Sequence, residues 1–227
     1  MENYLETIEL ETAPHPTASV IWMHGLGADG NDFVPIVQEL QLNKSPSIRF
    51  IFPHAPKIPV TINNGFIMRA WYDVSPGDLG EGQKKPDENG IRKSQAQIGQ
   101  LIEREIERGT PSERIVLAGF SQGGVISLQT ALRYPKPLAG VMALSCYLSC
   151  TESFEKEASA ANAKIPAFMA HGTEDPVVPY SMGASAAKRL QDAHYTVHWH
   201  EYPMPHSVCM EEVRDISQWL NQCFSQS

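Results

Sequence analysis

Residues 114–133 read RIVLAGFSQGGVISLQTALR, and this stretch decides the fold. Its first five residues form a mostly apolar run of strand length, and residues 122–133 repeat their apolar side chains with helical period. The turn between them, GFSQG at 119–123, fits the pattern G-x-S-x-G. A serine on such a sharp strand-to-helix turn is exposed at the end of the strand, which predicts Ser121 as a nucleophile. Turns with an incidental serine also match so short a pattern, so the partners of Ser121 decide between the two interpretations.

The two glycines of this turn have a predicted steric role. Strand and helix approach so closely here that side chains at Gly119 and Gly123 would collide with the backbone. The following helix begins with free N–H groups and the positive end of its dipole. The turn therefore suits a reaction in which negative charge develops beside the serine.

An acidic residue and then a histidine are expected downstream of Ser121, in that order. Asp175 directly follows a strand predicted at 165–170, whose end lies at the same sheet edge as the serine. We therefore predict Asp175 as the acid, with Glu174 as the alternative. A turn capped by a solvated aspartate is the non-catalytic interpretation.

Four histidines follow Asp175, and His206 is the predicted base. It lies in PMPHS, residues 203–207, a loop between the last predicted strand and the last predicted helix. A loop there can bring the imidazole over the serine, whereas His200, on a predicted strand, is the alternative. In this scheme His206 takes the proton of Ser121 and returns it to the leaving group. Asp175 holds the imidazole in the required tautomer.

The glycine-rich sequence HGLGADG, residues 24–30, follows a strand predicted at 18–23. In enzymes with this type of turn, such a loop supplies one of two N–H donors to the oxyanion, and we predict the pair as Leu26 and Gln122. The loop also fits the nucleotide-binding pattern G-x-G-x-x-G. That alternative lacks an acidic residue at the end of a strand about 20 residues further on.

Strand-length apolar runs alternate with helical segments along the rest of the chain. Strands are predicted at 18–23, 48–52, 114–118, 139–144, 165–170 and 195–201, and helices at 31–40, 92–108, 122–133, 182–193 and 208–223. This alternation favours the α/β class, with a mostly parallel sheet and helices on both faces, as one domain over residues 1–227. Residues 53–90, rich in Pro and Gly, are interpreted as a lid or binding loop, and residues 145–164 have no predicted structure.

The composition, with 42% hydrophobic and 19% charged residues, is that of an ordinary globular protein. A formal net charge of −8 argues against a nucleic-acid partner, which needs concentrated Lys and Arg. No apolar run approaches the ~20 residues that span a bilayer, and residues 1–11 do not resemble a signal peptide. We therefore expect a cytoplasmic protein without stable membrane insertion. The spacing of the four cysteines matches neither a disulfide framework nor a zinc site, which favours reduced thiols and no metal.

Together these motifs resemble the acyl-protein thioesterase/carboxylesterase family, which includes proteins called lysophospholipases. The resemblance spans nearly the whole chain, through HGLGADGNDF (24–33), PHAP (53–56), WYD (71–73), GFSQGG (119–124), HG and Asp175 (171–175), and His206. It implies a single-domain α/β-hydrolase fold with the triad Ser121, Asp175 and His206. It also implies oxyanion donors at Leu26 and Gln122, no cofactor and, in many members, a homodimer.

Substrates of the family range from short-chain esters to lipidated protein cysteines. The expected partner is therefore a small-molecule ester or acyl-thioester, or a lipidated protein. The resemblance places Trp71 near the acyl site and residues 58–68 in the acyl-binding region. Phe66 and Met68 in this region predict an acyl groove, with packing on the core edge as the alternative.

A non-catalytic binding module on a hydrolase scaffold would be expected to lack a triad member or an elbow glycine, and here none is missing. A dienelactone hydrolase would favour cysteine at position 121. Ester and thioester cleavage share a tetrahedral intermediate, so substrate type, including a lysophospholipid, stays open. The sequence predicts a serine hydrolase of carboxylic esters or thioesters.

Overall fold

The computed structural model describes residues 4–78 and 86–225. Nine strands and six α-helices occur along these residues. The strands are β1 (Thr7–Glu11), β2 (Ala18–Met23), β3 (Ile48–Pro53), β4 (Lys57–Val60), β5 (Phe66–Arg69), β6 (Ile115–Phe120), β7 (Gly140–Leu144), β8 (Pro166–Gly172) and β9 (Thr196–Tyr202). The helices are α1 (Ile36–Glu39), α2 (Glu88–Glu107), α3 (Gln122–Ala131), α4 (Thr151–Glu157), α5 (Tyr180–Asp192) and α6 (Met210–Ser225).

Seven of these strands form one sheet, in the order β1-β3-β2-β6-β7-β8-β9. β1 pairs antiparallel with β3, and the other neighbours pair in parallel. Every residue of β2, β3 and β7 is buried, as expected for strands covered on both faces. The predicted mostly parallel sheet is confirmed.

Two apolar clusters lie on opposite faces of this sheet. Alternate residues of β2 divide between them, because successive side chains of a strand point to opposite faces. Ile21 and Met23 belong to the cluster that contains residues of α2, α3 and α5, and Val20 and Trp22 to the cluster that contains residues of α1 and α6. Helices therefore cover both faces. The loops that follow β2, β6 and β8 meet at the carboxyl-terminal edge of the sheet, where sites in such folds are built.

The structure differs from the predicted elements in four places. β1 carries Glu9 and Glu11, which pair with arginines, so it lacks the apolar run that marks a strand. The helix predicted at 31–40 is reduced to α1 after Pro35, since proline cannot donate inside a helix. Residues 53–90, interpreted as a lid or binding loop, contain the antiparallel β4–β5 hairpin. Pro59 argued against a strand there, because proline cannot donate to a strand partner. Residues 79–85 of this segment lie outside the described part. The short helix α4 lies within residues 145–164.

All four cysteines are unpaired. Within residues 4–78 and 86–225, no helix combines the length and apolarity needed to cross a membrane. Nor do three His, Cys, Asp or Glu side chains of these residues come together in a group that could hold a metal ion.

Candidate active site

Ser121 lies on the turn between β6 and α3, with φ 54° and ψ −121°, angles that residues other than glycine rarely adopt. Its N–H donates to the carbonyl of Leu144 at 2.9 Å, which joins the turn to the end of β7. A Cβ on Gly119 would lie 2.1 Å from the carbonyl oxygen of Gly123, and a Cβ on Gly123 would lie 2.3 Å from that of Met23. Both positions therefore require glycine, for the steric reason predicted above.

Asp175 and His206 meet beside this turn. Nδ1–H of His206 donates to Oδ2 of Asp175 at 2.6 Å. The other carboxylate oxygen accepts the N–H groups of Val177 and Val178 at 2.8 and 2.9 Å. Because the Asp175 side chain is fully buried, these three donors replace the water that an ionised carboxylate would otherwise bind. The bond to Asp175 assigns the proton of His206 to Nδ1 and leaves Nε2 as an acceptor.

Ser121 and His206 line one pocket. The ring of Phe120 packs against His206, with centroids 4.7 Å apart. Among the described residues no hydrogen bond joins the Ser121 hydroxyl to the imidazole. Such bonds are often long before substrate binds and tighten in the complex.

The alternative acid and base lie elsewhere. Glu174 is exposed to solvent, although it neighbours Asp175 in sequence. His200 lies on β9, with Nδ1 3.4 Å from Asp215 and its ring stacked on Phe168. Neither residue lines the pocket of Ser121. The structure therefore brings together the first choices from the sequence and not the alternatives.

Leu26 and Gln122, the predicted oxyanion donors, both line this pocket. Gln122 is the first residue of α3, so its N–H has no intrahelical acceptor. Leu26 belongs to the glycine-rich loop after β2, whose opening residue, His24, is buried. Burial lowers the pKa of His24 to about 4, so this imidazole is neutral at pH 7.

The pocket has a volume of about 410 Å³, and much of its wall is apolar. Ile62, Val74 and Val177 contribute aliphatic side chains, and Tyr72 and Tyr147 contribute rings whose hydroxyls are hydrogen-bonded at 3.0 Å. Ile62 lies in the region, residues 58–68, that the resemblance assigns to acyl binding. Periodicity in the sequence does not single out Val74 or Val177, because they come from separate loops that only the fold brings together. A pocket of this kind can hold an acyl group beside a nucleophile.

Phe66, Met68 and Trp71, which the sequence places at the acyl site, do not line this pocket, so their role in substrate binding stays a prediction. Phe66 is 68% exposed on the β4–β5 hairpin, outside the main sheet. Met68 is hydrogen-bonded through its sulfur to the side-chain amide of Asn63 at 3.3 Å, so Asn63 and not Met68 reaches the pocket. Trp71 is buried, and its indole N–H donates to the carbonyl of His24 at 2.8 Å. The sequence alone does not distinguish an apolar residue that faces the substrate from one that packs beneath the loop, because both are apolar and lie near the motif.

The chain is similar to known proteins over nearly its whole length. A family model described as Phospholipase/Carboxylesterase matches residues 4–224. Acyl-protein thioesterase 1 of Cryptococcus neoformans is 36% identical, and the match covers 97% of this chain and 98% of the relative. Acyl-protein thioesterase 1 of Neurospora crassa is 40% identical, and the match covers 91% of this chain and 86% of the relative. The crystal structure of Zea mays acyl-protein thioesterase 2 has a TM-score of 0.84 at 28% identity, covering 97% of this chain and 100% of that chain.

These matches confirm the predicted α/β-hydrolase fold and the predicted enzyme class, a serine hydrolase of esters or thioesters. The chain belongs to the phospholipase/carboxylesterase family.

Proposed function

We propose that this hydrolase cleaves its substrate through Ser121, His206 and Asp175. The observation that carries the proposal is the 2.6 Å bond from His206 to a buried Asp175, beside a pocket that His206 shares with Ser121. Ser121 Oγ attacks the carbonyl carbon while Nε2 of His206 takes its proton, and Asp175 stabilises the imidazolium. The pair of electrons displaced onto the carbonyl oxygen forms an oxyanion.

The N–H groups of Leu26 and Gln122 would stabilise that oxyanion. Collapse of the tetrahedral intermediate breaks the bond to the alcohol or thiol, which leaves with the proton from His206. Water then attacks the acyl-enzyme by the same route and releases the carboxylic acid. No cofactor takes part in this scheme.

For the substrate we propose an acyl group in thioester or ester linkage, with a lipidated protein cysteine as the first class to test. The relatives named above are acyl-protein thioesterases, and the apolar wall of the pocket suits an acyl chain. A lysophospholipid is the second candidate, because the family description includes phospholipases. We further propose a cytoplasmic location, which suits four unpaired cysteines, and a homodimer, which sedimentation at micromolar concentration would test.

A fluorophosphonate probe tests the nucleophile. The wild type should be labelled, and Ser121→Ala should lose both labelling and turnover of p-nitrophenyl butyrate. Ser185→Ala, in an exposed position of α5, is the matched control and should behave as wild type. Residual turnover of Ser121→Ala up to ~10³–10⁴-fold over water fits the proposal, since oxyanion donors and binding alone supply that much. Labelling that persists in Ser121→Ala contradicts it.

Substrate class is tested by competition at equal concentration among a palmitoyl-cysteine peptide, a palmitoyl ester and a lysophospholipid below its critical micelle concentration. We expect the highest kcat/KM for the thioester peptide. A higher value for the lysophospholipid would reverse the order of the two candidates. Absence of turnover on all three and on p-nitrophenyl esters would favour a binding module.

A further inference from the structure

Trp71 is buried between the two segments that carry the predicted oxyanion donors. Its indole N–H donates to the carbonyl of His24 at 2.8 Å, in the glycine-rich loop. Its backbone N–H donates to Oε1 of Gln122 at 3.0 Å, at the start of α3. One residue, which does not line the pocket itself, thus holds both segments.

On the side of the loop, His24 determines which way the next peptide faces. Nε2 of His24 accepts the N–H of Ala55 at 3.1 Å, so the proton of the neutral ring is on Nδ1. Nδ1–H donates to the carbonyl of Gly25 at 2.7 Å. Because the C=O and N–H of a trans peptide point in opposite directions, this bond turns the N–H of Leu26 away from the ring. The indole of Trp71 restrains His24 from the other end, through its backbone carbonyl.

On the side of the helix, the Gln122 side chain is held at both ends by the backbone of residues 71 and 72. Oε1 accepts the N–H of Trp71, and Nε2 donates to the carbonyl of Tyr72 at 2.9 Å. The carbonyl of Trp71 in turn accepts the hydroxyl of Ser94 from α2. These bonds are buried and leave the position of the first residue of α3 little freedom.

We infer that Trp71 is a positioning residue, which holds the N–H groups of Leu26 and Gln122 in the arrangement that the oxyanion requires. The inference rests on the proposed function, in which these two groups stabilise the tetrahedral intermediate. Donors of this kind act through their preorganisation, so a small displacement of either one weakens the oxyanion contact. The oxyanion forms during acylation and again during deacylation, so both steps depend on Trp71.

Trp71→Phe tests the inference, because it keeps an aromatic ring and removes the indole N–H. Trp22→Phe is the matched control: Trp22 is equally buried, and its indole N–H has no partner among the described residues. For p-nitrophenyl acetate we expect Trp71→Phe to lower kcat by at least about tenfold. The loss should not exceed the ~10²–10³-fold that is typical of removing a donor outright. KM should stay within about twofold, since acylation and deacylation slow together. The rate constant of fluorophosphonate labelling should fall in parallel, and Trp22→Phe should retain most of both rates.

Equal kcat values in Trp71→Phe and Trp22→Phe would overturn the inference, as would a loss confined to KM. If Trp71→Phe shows no cooperative unfolding, Gln122→Met decides, because it keeps the backbone N–H and removes both side-chain bonds. Unchanged kcat in a folded Gln122→Met also overturns the inference, and a similar fall supports it. Failure of the proposed function is recognised separately, by fluorophosphonate labelling that persists in Ser121→Ala.

Discussion

His206 donates to one oxygen of Asp175 at 2.6 Å, while the other oxygen of the same carboxylate accepts two backbone N–H groups. Asp175→Asn would replace one acceptor oxygen by an NH₂ group, and either orientation of the amide would set a donor against a donor. We expect kcat to fall by roughly 10⁴ because the imidazole loses the required tautomer. Asp192→Asn, at an exposed ion pair with Lys188, is the control and should keep full activity. A loss below tenfold in Asp175→Asn would exclude it as the orienting acid.

Gly123 and Gly99 should respond oppositely to alanine. A Cβ on Gly123 would overlap the backbone carbonyl of Met23, and backbone cannot move aside as a side chain can. Gly123→Ala should lose activity and about 1–3 kcal/mol of unfolding free energy. Gly99 lies inside α2, and a Cβ there meets nothing within 4 Å. Gly99→Ala should gain up to about 1 kcal/mol and keep its turnover. Urea unfolding measures both, and a stable, active Gly123→Ala would contradict the packing at the turn.

Glu212 predicts a loss of stability as the pH rises from acidic to slightly alkaline values. Burial, with Asp215 adding to it, raises the pKa of this α6 carboxyl from 4.5 to about 8. The unfolded chain loses the proton near pH 4.5 and the folded chain near pH 8, so stability is present at low pH and decreases as pH rises between these values. Glu212→Gln cannot ionise and should exceed the wild type at pH 9 by about 3–5 kcal/mol, with little difference at pH 4.

Chemical denaturation from pH 4 to pH 9 measures this difference. Glu211→Gln, at the exposed neighbouring position, should follow the wild-type curve within about 1 kcal/mol at every pH. Parallel curves for wild type and Glu212→Gln would show that Glu212 is ionised in the folded state at neutral pH.

The aliphatic wall of the pocket predicts a dependence on acyl length. Each buried methylene is worth ~0.8 kcal/mol, so KM should fall severalfold for every two carbons until the pocket is full. Ile62→Ala removes part of the wall and should flatten this dependence while acetate-ester turnover persists. Phe66→Ala, outside the pocket, should leave the dependence unchanged. A series of p-nitrophenyl esters from acetyl to decanoyl measures it, and the reverse pattern would restore the groove predicted from Phe66.

Local signals made much of the fold predictable. β2 is a continuous apolar run, and the element bounds found for it match those predicted. Ser121 could be predicted as the nucleophile because its turn has a narrow steric requirement, and the expected chain order of acid and base then left few candidates. For β2 and for the turn at Ser121, the steric or packing requirement falls on a few consecutive residues, so it is visible in the sequence itself.

Features that depend on distant partners were not predictable. Glu9 of β1 pairs with Arg104 of α2 and with Arg108, the residue after this helix, so these partners lie about a hundred residues away in the sequence. Tyr147 and Val177 join Ile62, which lies in the acyl-binding region that the resemblance implied, only because their loops end at one sheet edge. The sequence placed Trp71 near the acyl site, and its hydrogen bonds to His24 and Gln122 depend on segments that only the fold brings together.

The backbone conformation of Ser121 favours the proposed chemistry and lowers the thermal stability of the fold. At φ 54° and ψ −121°, a serine costs on the order of 1–3 kcal/mol that a glycine would not. A library of variants screened only for survival at high temperature is therefore expected to enrich Ser121→Gly, a more stable variant that lacks the proposed nucleophile. Any directed evolution of this enzyme toward thermal tolerance must accordingly select for turnover in every round.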